Sequence, residues 1–226
     1  RIGVVYLFSG ILFIYLNQKQ QMIFSLLCLV LYWVLMFTIP VPGFGSGDLS
    51  IQGNTWSYID RLLTSGWHNH GEGILSIISS IPSVLFGAST GFWLRNEKSG
   101  YEKVSGMYVM GMLLMFFGIL LDMWFPFNKL LWSSSYVVYT TGIALAFLAT
   151  VYYIIDIRGY KKWTFPFIVF GMNAIAAFVL SSLTAKILGL VKVSMVINGG
   201  EKLVSLKTYI YQSIFSGIIN EYVSSL

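Results

Sequence analysis

Six stretches of this chain, residues 2–16, 22–39, 74–94, 104–121, 133–155 and 163–185, contain no Asp, Glu, Lys or Arg. No other feature restricts the fold as much. A helix rises 1.5 Å per residue, so ~20 apolar residues cross the hydrocarbon core of a bilayer. Lipid offers no partner to a backbone N–H or C=O, so each run must close its own hydrogen bonds as a helix. These runs predict an all-α fold: a polytopic integral membrane bundle of about six transmembrane helices, forming a single transmembrane domain over 1–226. Composition agrees, with 56% hydrophobic and only 10% charged residues, where a soluble domain carries roughly 25% charged. The lipid bilayer is therefore the first expected partner. Cys28 lies inside an apolar run and reads as a small buried hydrophobe.

The connections carry the remaining information. Residues 17–21 break the first two runs with polar side chains, and Pro40 closes the second. Gly87 and Gly91 lie four apart in the third run, a spacing that could permit close helix packing. Residues 40–73 form a long loop, turn-rich at first, with Asn54 as a cap for a short helix that places Trp56, Ile59 and Leu63 on one side. Its Gly43-Phe-Gly45-Ser-Gly47 run lacks the strand–helix context of a dinucleotide fingerprint. In the tail, Ile210, Ile214, Ile218 and Tyr222 recur every four residues, which predicts an amphipathic helix over 206–226. The chain begins at Arg1 directly before an apolar run and reads as the C-terminal part of a larger membrane domain.

Lys and Arg are distributed unevenly over the loops. Loops one, three and five hold seven of them: Lys19; Arg95, Lys98 and Lys103; Arg158, Lys161 and Lys162. Loops two and four hold Arg61 and Lys129 alone. The positive-inside bias then puts loops one, three and five in the cytoplasm, and loops 40–73 and 122–132 outside. The formal charge of +5 is a topology signal; the basic residues form no stripe, so nucleic acid is not an expected partner.

Polar residues inside or beside the spans are the candidates for chemistry. His68 and His70 flank Asn69; their spacing on a loop is a weak metal signal with no third ligand, so no metal is expected and a solvated loop is the reading. Asp60 with Arg61 forms a surface pair or lines a polar cavity, and Glu72 is a further outward charge. Asn128 and Lys129 stand at a membrane boundary, where a lysine can simply snorkel to water. Asn173 reads as a buried intramembrane amide that finds an interhelical partner.

These same residues carry a likeness. Tyr58-Ile-Asp-Arg-Leu-Leu63, Glu72-Gly-Ile-Leu75, Asn128-Lys-Leu-Leu-Trp-Ser-Ser-Ser-Tyr136 and Gly171-Met-Asn173 resemble, in order, motifs of the heparan-α-glucosaminide N-acetyltransferase family. The stretch from Gly45 to Asn54 resembles its bacterial branch, which implies a bacterial inner membrane. The resemblance implies transfer of an acetyl group from cytosolic acetyl-CoA, the co-substrate, across the membrane to the amine of a glucosamine-type acceptor. It leaves a homo-oligomer open. The catalytic-histidine region of that family and its last span have no counterpart here, so the catalytic residue is unknown and the fragment alone is expected to be inactive.

Acyl transfer to an amine requires a neutral amine and donors for the developing oxyanion. Asn128, Lys129, Ser133, Ser135 and Tyr136 cluster as donors at one helix start. Asp60 and Glu72 could hold sugar hydroxyls or the ammonium form. Trp132 could stack on a sugar or adenine face, or anchor the interface. The rival readings are a small-solute transporter and a non-catalytic membrane scaffold.

Overall fold

The computed structural model describes residues 1–64, 73–197 and 200–214. They divide into two compact units, Arg1–Tyr160 and Lys161–Leu226.

In the first unit, the run at 2–16 becomes α1 (Ile2–Tyr15) and that at 22–39 becomes α2 (Gln18–Thr38). The polar break between them is a helix start. Asn17 and Gln20 exchange side-chain and backbone hydrogen bonds at 3.0 Å, a capping box that answers two of the unpaired N–H groups of α2. Buried Gln21 donates its amide to the Leu16 carbonyl at 2.8 Å, and so closes the end of α1. After the short α3 (Thr55–Thr64) come α4 (Ser76–Arg95), α5 (Gly100–Asp122) and α6 (Ser134–Tyr152), the last continued by a π-helical turn, Tyr153–Ile157. Ser99 and Glu102 form a second capping box at the start of α5.

Among the described residues, four helical segments are long and apolar enough to cross a membrane: Gln18–Thr38, Ser76–Arg95, Gly100–Asp122 and Ser134–Ile157. The expectation of a polytopic membrane-helical bundle holds. The first expected span is a helix of 14 residues, about 21 Å long and so shorter than the ~30 Å hydrocarbon core.

Glycine sets the closest crossing. A Cβ at Gly142 would lie 2.6 Å from the Gly111 carbonyl, and one at Gly111 would lie 2.9 Å from the Gly142 carbonyl, so α5 and α6 touch backbone to backbone. The Gly87–Gly91 pair behaves otherwise: a Cβ at either meets nothing within 4 Å, so no helix packs over them.

Loops two and four meet at one end of this unit. Tyr32 and Met36 of α2, Trp56 of α3, and Phe125 and Leu131 of the α5–α6 connection form one buried cluster, with Leu75 and Ile78 packed on it. At the other end, Val104, Met107 and Ala149 gather Trp93, Tyr152, Tyr153 and Ile157 around them. Phe13 stacks on Phe92 at 5.4 Å, which brings the α1–α2 turn to that same end.

In the second unit, a 3-10 turn (Lys162–Thr164) leads into α7 (Phe165–Met172) and α8 (Ala174–Leu190). The run at 163–185 is therefore no straight span, since the two helices meet at 80°. The break falls at Asn173, whose φ of −117° and ψ of 34° leave the helical region. An antiparallel hairpin follows, β1 (Lys192–Ile197) with β2 (Gly200–Ser205), in the register Lys192↔Ser205 to Ile197↔Gly200. No hairpin is expected from the apolar runs; it is a minor addition to an all-α fold. The tail begins as α9 (Leu206–Ile214), and the rest of the expected amphipathic helix lies outside the described residues.

Candidate functional site

The end of the first unit where loops two and four meet is built around Trp132. The connection from α5 to α6 is tied into a knot by its own polar side chains. Asp122 accepts the Phe127 N–H at 2.5 Å. The Asn128 side-chain carbonyl accepts the N–H groups of Leu130 and Leu131 at 2.9 and 3.0 Å, an Asx turn. The Asn128 N–H donates to Ser133 Oγ at 3.0 Å, and the Ser133 N–H returns to the Asn128 carbonyl at 3.1 Å. Ser133 Oγ lies 3.1 Å from Ser135 Oγ, which donates onward to the Phe125 carbonyl. Ser134 donates to the Leu29 carbonyl at 2.7 Å, and Tyr32 donates its hydroxyl to the Leu131 carbonyl at 2.5 Å.

This knot forces one residue into the left-handed region. Trp132 has φ +57°, a conformation that costs a bulky residue about 1–3 kcal/mol. The result is a ring thrown across to α4. Trp132 Nε1 donates to Ser83 Oγ at 3.2 Å, its edge meets Tyr136 at 5.4 Å, and the Arg1 guanidinium lies 4.8 Å from its centroid. Arg1 also donates to Ser76 Oγ at 3.3 Å, and Ser76 is fully buried.

Loop two reaches the same place. Its glycines at 43, 45 and 47 all take positive φ and fold a tight turn bridged from Val41 to Gly45. Asn54 caps α3 as expected, accepting the Ser57 N–H at 2.7 Å. Thr55 then hooks α3 onto the last carbonyls of α2, at Met36 and Ile39. Asp60 turns inward, 6% exposed, and accepts the Ile74 N–H at 2.9 Å, which fixes the chain entering α4. Its neighbour Arg61 faces outward and gives both terminal nitrogens to the Gln52 carbonyl at 3.1 Å. Beside Asp60, the Trp56 indole N–H is buried without a hydrogen-bond partner among the described residues. That nitrogen packs against Gly73, where a Cβ would lie 2.3 Å from it.

The expected site residues separate accordingly. Asn128, Trp132, Ser133, Ser135 and Tyr136 come together in the α5–α6 connection, whereas Asp60 stays in loop two on the Ile74 N–H, and the two are joined through the Trp56–Leu131 cluster. The hydroxyls of Ser133 and Ser135 are buried in the knot, and Asn128 is its pivot. Lys129 is exposed at its rim and makes no hydrogen bond or ion pair among the described residues. Asn173 belongs to the second unit and is not the buried amide expected: it is exposed there and donates to the Val169 carbonyl at 2.9 Å, as a helix corner does. Glu72, His68 and His70 lie outside the described residues.

Sequence reasoning missed Arg1, Tyr32, Ser76 and Ser83. For α4 a signal existed, because Ser76, Ser79, Ser80 and Ser83 recur at helical spacing and mark one polar face. For Arg1 none existed, since its partner Trp132 is distant in the chain.

Two curated proteins are similar to this chain. Heparan-alpha-glucosaminide N-acetyltransferase of Homo sapiens is 30% identical over 192 residues, covering 68% of this chain and 29% of that protein. The protein of the same name from Mus musculus is 29% identical over 195 residues, covering 69% and 29%. The chain spans under a third of the length of these relatives. No family model matches the sequence, and no solved structure matches it.

Proposed function

We propose that this chain supplies the extracytoplasmic half of a transmembrane N-acetyltransferase that moves acetyl from acetyl-CoA to the amine of a glucosamine-type sugar. One observation carries the reading. Three of the stretches that resemble the acetyltransferase family, 58–63, 72–75 and 128–136, are separate in sequence, yet residues of each meet at one end of the bundle: Asp60 accepts the Ile74 N–H, and Leu75 packs on the cluster that holds Leu131. The similarity to the human and mouse proteins supports it.

In the net reaction the thioester C–S bond breaks, an amide C–N bond forms, the amine proton leaves to a base and coenzyme A departs as its thiolate, whether acetyl passes directly or by way of an enzyme residue. Trp132, with Arg1 over its ring, forms a wall of the site, and the strained backbone beneath it holds that wall in place. Lys129 supplies a fixed positive charge at the rim for the developing oxyanion. Asp60 and the Trp56 N–H mark the polar floor. Asn128, Ser133 and Ser135 act on this site by positioning, because their hydrogen bonds hold the loop. Loops 40–73 and 122–132 face away from the cytoplasm.

The test is coenzyme A binding and acetyl transfer to glucosamine by the protein made from its complete reading frame. Trp132→Ala is expected to lower turnover while leaving the melting temperature within a few degrees. A protein that binds no coenzyme A would overturn the reading. The 80° break between α7 and α8 favours a second one, since solute transporters place broken helices at their binding sites; solute uptake without coenzyme A binding would select it.

A further inference from the structure

A cavity of about 300 Å³ opens between α4 and α6 and adjoins the site described above at Ser83. Ser83, Phe86, Gly87, Thr90, Gly91 and Leu94 of α4 line one side, and Thr141, Ala144, Leu145 and Leu148 of α6 the other. It exists because Gly87 and Gly91 have no side chain where a Cβ would meet nothing. From Ser83 to Leu94, α4 advances about 17 Å. That is roughly half of the ~30 Å hydrocarbon core, the depth of one leaflet. The inner end is stopped where Trp132 donates to Ser83 Oγ.

The lining is apolar in effect. Thr90 donates to the Phe86 carbonyl at 2.9 Å and Thr141 to the Val137 carbonyl at 2.7 Å, so both hydroxyls are closed on their own helices. A chain bearing amides would leave its N–H groups unpaired here, whereas methylenes lose nothing.

The segments that follow this lining in the chain carry three cations. One residue beyond Leu94 stands Arg95. Lys98 lies 4.3 Å over the Trp93 ring, and Arg158, just past the π-helical turn, lies 5.5 Å from the Tyr153 ring. Tyr153 meets Tyr101 of α5 edge to face. None of these three cations is in an ion pair among the described residues, although Glu97, Glu102 and Asp156 are near in sequence. Glu102 is hydrogen-bonded by Ser99 and also feels the Lys98 charge.

We propose that the α4–α6 cavity holds one acyl chain of an anionic phospholipid from the leaflet on the Lys/Arg-rich side, with its phosphate at Arg95, Lys98 and Arg158. A chain one leaflet deep and apolar along its length fits this open, apolar cleft, and an anionic head fits the cations that follow Leu94 and the end of α6 in the chain. The proposal needs only the membrane bundle and does not depend on acetyl transfer.

The test uses the complete protein in vesicles containing phosphatidylglycerol with a photoactivatable acyl chain, against phosphatidylcholine with the same chain. Labelling is expected in peptides spanning 83–94 and 141–148, and stronger from phosphatidylglycerol. Filling the cavity with Gly87→Leu and Gly91→Leu, which meet open space and raise helix propensity, should abolish it. Replacing Arg95, Lys98 and Arg158 by Gln should weaken the preference for the anionic lipid by roughly fivefold per cation. The proposal fails if labelling equals that of the exposed α5 residues Phe116 and Phe117, if the filled variant labels normally, or if acetyl-CoA in solution displaces the lipid and so claims the site for a soluble phosphate compound.

Discussion

Lys129 and Asn128 stand side by side in sequence and act differently. Lys129 is exposed at the rim of the α5–α6 knot, while the Asn128 carbonyl and N–H hold the knot together. If Lys129 balances an oxyanion, Lys129→Met removes a transition-state contact of roughly 2.7–4 kcal/mol. Turnover in the complete protein then falls by at least about a hundredfold with unchanged melting. Near-normal turnover would assign Lys129 to interfacial snorkelling. Asn128→Ala is expected to lower turnover too, more weakly, together with stability. Tyr32→Phe is a purely structural counterpart: it strips a buried carbonyl, Leu131, of its donor and should cost about 1–3 kcal/mol of stability in detergent unfolding. A sequence shows that Asn128, Ser133 and Ser135 are polar and close together. It does not show that they bond one another, because the turn that joins them is set by a φ of +57° at Trp132, a value no residue type announces.

Elements were legible where periodicity and length act alone. The runs at 22–39, 74–94, 104–121 and 133–155 became full helices, and Asn54 marked the start of α3. The run at 163–185 is equally free of charge, yet it breaks at Asn173, where the side chain bonds back to Val169 and the backbone leaves the helix. Composition counts apolar residues and is blind to such a corner. Glycine spacing alone carries little in the same way. Gly87 and Gly91 have the packing spacing but line a cavity, whereas Gly111 and Gly142, on different helices, make the closest crossing. Gly142→Leu must push α5 and α6 apart and should destabilise the protein by at least about 1–3 kcal/mol, as overpacking does, with loss of monodispersity as the readout. Tolerance of Leu at 142 would refute the close crossing.

At the scale of the molecule, the Lys/Arg count and the helix order agree. The α2–α4 and α5–α6 connections share one end of the first unit, and the α1–α2 turn, the α4–α5 link and the end of α6 share the other. Which end faces the cytoplasm follows from charge alone. In a Cys28→Ser background, an impermeant thiol reagent on intact cells is expected to label Ser50→Cys and spare Ser99→Cys; the reverse pattern would invert the molecule. The central claim combines this sidedness with the chemistry at Trp132. The direct measurement is acetyl transfer by the complete protein in oriented vesicles, with labelled acetyl-CoA on the Lys/Arg-rich side and glucosamine enclosed on the other. The account predicts acetylated sugar in the enclosed compartment and its loss with Trp132→Ala. Acetylation only on the side where acetyl-CoA was added, or none with a folded protein, would contradict it.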